Sequence, residues 1–265
     1  MIEVAIAMSL LSMAPNPAPI VVGLITFAVY ANDRVADADD DIVSNPGQAA
    51  FARRHRDSLY LLAALAYALA IAISLFGGPF ALVLTLLPGA FWVVYGSHWG
   101  TSLNSSIDRL KNVLVVNSAV VALAWAICLT LLPVAFADVG LSPAVAVVFA
   151  YFFLRSFVDV EIPNVRDIEA DRRVGVTTLP TVFGVRRTRR ALYAVDLSTA
   201  GLVSYATFIG LVAWPLALAL IVGLCYSLVI ISQLGRTANP DFLGQAPNGE
   251  YVLVGAAMAI FVIVL

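Results

Sequence analysis

The stretch IVVGLITFAVYANDRVADADDDIVSNP, residues 20–46, decides the fold class because two opposite compositions meet in it. Residues 20–31 are uncharged and almost wholly apolar. Five carboxylates follow within nine residues: Asp33, Asp37, Asp39, Asp40 and Asp41. An apolar run that ends abruptly in charge is typical of a membrane-spanning helix that reaches the water interface. A solvated loop does not require so many like charges, which repel one another unless a positive charge lies among them.

The remainder of the chain has the same apolar character. Of the 265 residues, 61% are hydrophobic and 12% are charged, and the mean hydropathy is +0.93. Soluble globular domains carry about 25% charged residues, so this composition excludes an ordinary soluble domain. Membrane-spanning segments satisfy their backbone hydrogen bonds as helices. The sequence therefore predicts an all-α polytopic membrane protein that contacts membrane lipids and has no nucleic-acid partner.

Breaks at Pro, Gly and charged clusters divide the chain into nine apolar segments. They cover residues 2–13, 17–31, 58–75, 79–96, 112–133, 141–160, 189–210, 213–233 and 250–265. We expect nine transmembrane helices that pack around a central cavity as one domain, residues 1–265. The first and last segments are short for a full span, which requires about 20 residues.

Charge follows the connections between these segments. Long polar loops come only after even-numbered segments, at about 32–57, 97–111, 161–188 and 234–249, so that all four lie on one side of the membrane. All 15 Lys and Arg residues, Arg155 among them, are assigned to this side or to the helix ends beside it. The positive-inside rule places that side in the cytoplasm. The sequence thus predicts a cell-membrane protein with a cytoplasmic cap.

A second acidic cluster, DVEIPNVRDIEADRRVGVTTLP at residues 159–180, follows segment 6 on the same side. Within each cluster the polar residues recur at helical spacing, i, i+4, i+8 in the first and i, i+3, i+7 in the second, which places each set in one stripe along a helix. The two stripes are Asp33, Asp37 and Asp41, and Asn164, Asp167 and Asp171.

Two stripes that face each other across a bundle would repel strongly, and hard divalent cations remove that conflict. Mg²⁺ prefers carboxylate oxygens and commonly completes its coordination with water and substrate phosphate. Basic residues that suit phosphate oxygens lie on the same side: Arg109, Lys111 and Arg166. The pattern therefore indicates a magnesium-bridged diphosphate site.

The pair of clusters resembles the UbiA superfamily of intramembrane prenyltransferases. That family has nine transmembrane helices, a first motif NDxxDxxxD after helix 2 and a second motif DxxDxxxD after helix 6. The run RDIEADRRVGVTTLP is close to the family's second motif, and RLKNVLVVNSAVVALAWA resembles its fifth helix. This chain departs from the pattern in two places: its first motif is one residue longer, and Asn164 stands where many members have Asp.

The resemblance implies Mg²⁺-dependent transfer of a prenyl group from an isoprenyl diphosphate to a hydrophobic acceptor, such as a quinone precursor, a glycerol-phosphate lipid or a carotenoid. It implies the following site residues. Metal would be held by Asp33, Asp37, Asp41, Asn164, Asp167 and Asp171, and the five aspartates among them would be catalytic. Diphosphate would be held by Asn32, Arg109, Lys111 and Arg166. Aromatic side chains that could line the prenyl tail are Tyr30, Phe91, Tyr95, Phe153 and Phe157.

Two other functions fit some of the same residues. Intramembrane carboxylates also mark ion sites, so a cation-coupled transporter is an alternative. A terpenoid cyclase would use the same diphosphate chemistry without an acceptor. Asp196, about two turns into segment 7, is expected to pair structurally with an Arg near the cap, because an ionisable residue inside a span usually has a partner.

Overall fold

The structure is a computed structural model of the chain and describes residues 1–36, 38, 46–96, 116–174, 177–237 and 241–264. Within these ranges every regular element is a helix, which confirms the all-α prediction. The helices are α1 (Ile2–Leu10), α2 (Ala18–Ala36), α3 (Pro46–Arg54), α4 (Arg56–Ser74), α5 (Gly78–Gly96), α6 (Val116–Ala126), α7 (Leu132–Phe136), α8 (Pro143–Arg166), α9 (Ile168–Val174), α10 (Leu179–Phe208), α11 (Trp214–Gln233) and α12 (Asp241–Val264). A 3₁₀ turn, Leu75–Gly77, joins α4 to α5, and a π-helical segment, Ile127–Leu131, joins α6 to α7.

Four stretches in the described part of the chain are long and apolar enough to cross a membrane: Ala18–Ala36, Arg56–Ala90, Ser118–Phe136 and Trp214–Gln233. They agree with the prediction of an integral membrane protein. The count of nine transmembrane helices stays a prediction. Each predicted apolar segment contains a helix, but α1 has only nine residues, too few to span a bilayer alone.

The described residues divide into two compact units. The first contains Met1 and the described residues of Pro15–Trp99 and Leu132–Val139. Its main packing is between α2 and α4, where Ala28, Ala31, Ala63 and Ala66 form a buried cluster. Small side chains let two helix backbones approach closely, the mode of packing expected where lipid supplies no hydrophobic force between helices.

In the same unit, α4 and α5 are joined by a tyrosine. The Tyr67 hydroxyl donates a hydrogen bond of 3.0 Å to the Thr85 carbonyl on α5. It lies directly against Gly89, and no larger side chain would fit there. The bond thus ties α4 to α5 close to Pro88, a residue within α5 that has no amide N–H to donate.

The second unit contains Ile2–Ala14 and the described residues of Gly100–Leu131 and Gly140–Leu265. Its core at one end of α8, α10, α11 and α12 is a cluster of buried apolar side chains: Val158, Ile162, Val165, Leu192, Ile230, Ile231, Leu234, Leu243 and Ala246. This cluster fixes the end of α8 that carries the second polar motif.

Helices occupy parts of three ranges that were expected to be loops. α3 lies within 32–57, α9 and the start of α10 lie within 161–188, and α12 begins at Asp241, within 234–249. Polar composition suggested loops there. Apolar residues at helical spacing, such as Leu243 and Ala246, instead pack into the core of the second unit.

Candidate active site

The first motif begins on a helix. α2 continues past the apolar segment as far as Ala36, so Asn32 and Asp33 occupy its last turns, where both side chains are half-buried. The helical register expected for the first stripe stays a prediction, because it also depends on Asp37 and Asp41. Four other predicted site residues, Asp37, Asp41, Arg109 and Lys111, lie outside the described residues.

The second motif lies where α8 ends and α9 begins. Asn164 and Arg166 are in the last turn of α8, Asp167 is its C-cap with φ −93° and ψ 9°, and Asp171 is in α9. Backbone hydrogen bonds run on across this break. The Asp167 amide donates to the Pro163 carbonyl at 3.1 Å, and the Asp171 amide donates to the Asp167 carbonyl at 2.9 Å. The i, i+3, i+7 spacing therefore keeps a helical register through the junction.

A buried acid fixes the amide of Asn164. The Nδ2 group of Asn164 donates to Oε2 of Glu161 at 3.3 Å, and the Glu161 side chain is fully buried. With its nitrogen directed back along α8, the amide has its Oδ1 oxygen directed the other way. Sequence reasoning left Glu161 without a role, although it lies one helical turn before Asn164, the spacing at which side chains meet.

Arg166 and Asp167 form a bidentate pair. Nε and Nη2 of Arg166 donate to Oδ1 and Oδ2 of Asp167, each at 2.7 Å. The two side chains are 26% and 33% exposed, so the pair is reached from solvent. Bidentate pairing of this kind fixes the plane of both groups.

Asp171 is held by the helix that follows. The Thr178 hydroxyl donates to Oδ2 of Asp171 at 3.3 Å, and the Thr178 amide donates to Oγ1 of Thr181 at 2.8 Å, as in a capping box at the start of α10. Burial raises the pKa of the Asp171 carboxyl, the negative charge of Asp167 raises it further, and the Thr178 hydrogen bond opposes both. The TTLP run thus positions an acid as well as starting a helix.

Asp196 has the arginine partner that the sequence predicted. It is Arg155, which lies about three turns before the end of α8 and is fully buried. Its guanidinium also contacts Glu250 of α12 and lies 3.3 Å from the Asp159 carboxylate. We call these residues, Arg155, Asp159, Asp196 and Glu250, the buried ionic cluster.

The metal site itself stays a prediction. Among the described residues, no group of three His, Cys, Asp or Glu side chains is close enough to hold a metal ion, but Asp37 and Asp41 lie outside them. Asn32 and Asp33 belong to the first unit and the second motif to the second. That the two motifs face each other is therefore also a prediction.

Solved structures with the same fold extend over nearly the whole chain. A UbiA homolog from Archaeoglobus fulgidus bound to DMAPP and Mg²⁺ is 18% identical, with a TM-score of 0.66, and covers 99% of this chain and 95% of its own. The same homolog bound to GPP and Mg²⁺ is 16% identical, with a TM-score of 0.64, over 100% and 89%. A digeranylgeranylglyceryl phosphate synthase is 14% identical, with a TM-score of 0.59, over 99% and 91%.

At these identities the structural matches show the fold alone. No curated protein matches the sequence. The family model for the UbiA prenyltransferase family matches residues 4–245, which include both polar motifs and the helices that carry them. The chain therefore belongs to the UbiA prenyltransferase family.

Proposed function

We propose that this protein transfers a prenyl group from an isoprenyl diphosphate to a hydrophobic acceptor within the membrane, and that it requires Mg²⁺. The observation that carries the proposal is the grouping of Asn164, Arg166, Asp167 and Asp171 where α8 meets α9, in a chain that belongs to this family. The Archaeoglobus fulgidus homolog binds DMAPP or GPP together with Mg²⁺, which favours the same class of donor here.

The residues of the second motif fit magnesium. Both carboxylate oxygens of Asp167 already accept hydrogen bonds from a cation, the Arg166 guanidinium. Thr178 bonds Oδ2 of Asp171, and the carboxylate has a second oxygen to offer. Glu161 holds the nitrogen of the Asn164 amide, which leaves the carbonyl oxygen as the natural ligand. Three oxygen donors of this kind suit Mg²⁺, and Asp33, Asp37 and Asp41 would complete the predicted set.

Bound magnesium would neutralise the charge that develops on the diphosphate leaving group. Arg166, adjacent to the acids, would bind phosphate oxygens, and we assign the same task to Asn32, Arg109 and Lys111. Arg166 pairs with Asp167 in this structure. With metal and diphosphate bound, Asp167 would contact the metal ion and Arg166 would contact phosphate oxygens, so that each charged side chain would keep a partner of opposite charge.

An apolar groove in the first unit could hold the isoprenoid portion of a substrate. It encloses about 840 Å³ along α2 and α3, and its lining includes Phe27, Tyr30, Arg34 and Phe51. Tyr30 precedes Asp33 by one helical turn on α2. An apolar groove that begins beside a predicted metal ligand suits a molecule with an anionic head and a hydrocarbon tail.

We further propose that the chain is a single domain in the cell membrane, with both motifs on the cytoplasmic side. The arginine residues near the second motif support this orientation, because basic residues are retained on that side. They include Arg172, Arg173, Arg186, Arg187, Arg189 and Arg190.

The decisive experiment uses purified protein in lipid nanodiscs with radiolabelled dimethylallyl, geranyl or geranylgeranyl diphosphate, Mg²⁺ and a lipid extract of its source. We expect pyrophosphate release together with a new labelled lipid, both dependent on Mg²⁺. Pyrophosphate release with a labelled hydrocarbon and no dependence on extract would identify a cyclase. Ion flux in proteoliposomes that needs neither Mg²⁺ nor diphosphate, with no pyrophosphate release, would overturn the proposal in favour of transport.

A further inference from the structure

The start of α12 approaches the second motif from the neighbouring side. This helix begins at Asp241, and its residues Leu243 and Ala246 are buried in the apolar cluster that also contains Ile162 and Val165 of α8. The Tyr226 hydroxyl of α11 donates to the Ala246 carbonyl at 2.9 Å. The backbone of α12 around residue 244 is therefore fixed by packing and by a hydrogen bond.

Gly244 faces Arg166 directly. A Cβ atom added at Gly244 would collide with Nη1 of Arg166, and the guanidinium carbon Cζ lies 3.5 Å from that position. On its other edge the guanidinium is bound by Asp167 through Nε and Nη2. The guanidinium thus lies between the Asp167 carboxylate and Gly244, a position of α12 that has no side chain.

We propose that Gly244 is a positioning residue for diphosphate binding: its missing side chain lets the Arg166 guanidinium lie beside Asp167, where the diphosphate would reach it. The inference rests on the proposed function of the second motif. It adds a residue of α12, outside both polar motifs, to the determinants of that site.

A purely structural role for this glycine predicts a different outcome. Two other glycines in this unit are close to core side chains. Gly223 is closely approached by Val254 and Glu250, and Gly249 is closely approached by the Tyr226 hydroxyl. At Gly244, apart from neighbouring residues of its own helix, the described atoms within 4 Å of an added Cβ belong to the end of the Arg166 side chain. A flexible side chain can move aside, and alanine favours a helix more than glycine does. G244A is therefore expected to fold and to displace the guanidinium.

The test measures binding of inorganic pyrophosphate with Mg²⁺ by thermal stabilisation, and KM for geranylgeranyl diphosphate by pyrophosphate release. G244A should weaken both by about tenfold, as expected when one charge-assisted hydrogen bond is misplaced. A glycine control separates this loss from general damage. In G201A, on α10, the added Cβ meets no described atom within 4 Å. G201A should leave pyrophosphate affinity within about twofold of wild type.

The double variant decides whether Gly244 acts through Arg166. Lysine has no Nη1 atom to collide with a methyl group at residue 244, so R166K and R166K/G244A should bind pyrophosphate equally. Unchanged affinity in G244A, or an equal loss in the R166K background, would overturn the inference while leaving the proposed function in place. Wild-type protein that neither binds pyrophosphate nor releases it from any prenyl diphosphate would overturn both.

Discussion

Replacing Arg155 by methionine should destabilise the protein strongly, because the residue is the cation of the buried ionic cluster. Its side chain has no exposed surface, and Asp196 and Glu250, which it contacts, are each 1% exposed. Water cannot take over the task of balancing these carboxylates. Methionine has a similar length and no charge, so that the substitution removes the counterion without opening a large cavity.

Breaking a buried ion pair by removing one partner costs about 3–5 kcal/mol. For a chain of this length that corresponds to a fall of about 6–20 °C in the midpoint of thermal unfolding. The midpoint is followed by intrinsic fluorescence in one detergent at one concentration. R173M is the matched control, because Arg173 is exposed and exposed charges contribute about 0–1 kcal/mol.

A triple variant tests the explanation itself. R155M combined with Asp196→Asn and Glu250→Gln leaves neutral polar groups in place of two unpaired charges, and it should recover most of the lost stability. R155M with a midpoint within about 2 °C of wild type would refute the counterion role, since that shift corresponds to less than about 1 kcal/mol. No recovery in the triple variant would show that Arg155 acts through packing.

Three other changes test the active-site assignments. Thr178→Val should lower the unfolding midpoint by a few degrees, because about 1 kcal/mol of capping and hydrogen bonding is lost, and it should also reduce pyrophosphate release. Thr178→Ser should retain the wild-type midpoint and activity. Equal activity in the two variants would contradict the link to Asp171. Asp37→Ala and Asp171→Ala should each abolish prenyl transfer with little change in the midpoint, and full activity in either removes that residue from the metal site. EDTA should stop pyrophosphate release and added Mg²⁺ restore it; release that continues in EDTA would exclude a divalent cation.

The helices could be predicted from the sequence because apolar runs and Pro or Gly breaks are local signals. The all-α class and the position of the second motif after the sixth apolar segment are correct for the same reason. The start of α12 could not be predicted, since DFLGQAPNGEY has the composition of a loop. Burial of Leu243 and Ala246 against α8 makes it helical, and packing of this kind overrides local propensity.

At the site, the contacts that could not be predicted from the sequence are those between residues far apart in the chain. Asp196 was expected to have an arginine partner, but Arg155 lies 41 residues from it along the chain and 95 from Glu250. Nothing in the local sequence marks that choice. The contact between Gly244 and Arg166 is of the same kind, because the sequence around a helical glycine does not indicate which side chain packs against it.

Thr178 has two roles: it caps the start of α10 and it holds the side chain of Asp171. Its backbone begins α10 while its hydroxyl holds Asp171, so fraying of that first turn also releases a proposed metal ligand. Occupancy of the site should, in return, slow hydrogen exchange of the amides at the start of α10. Activity would then be lost at a lower temperature than that of global unfolding. The temperature of inactivation would report on the start of α10 and not on the stability of the whole protein.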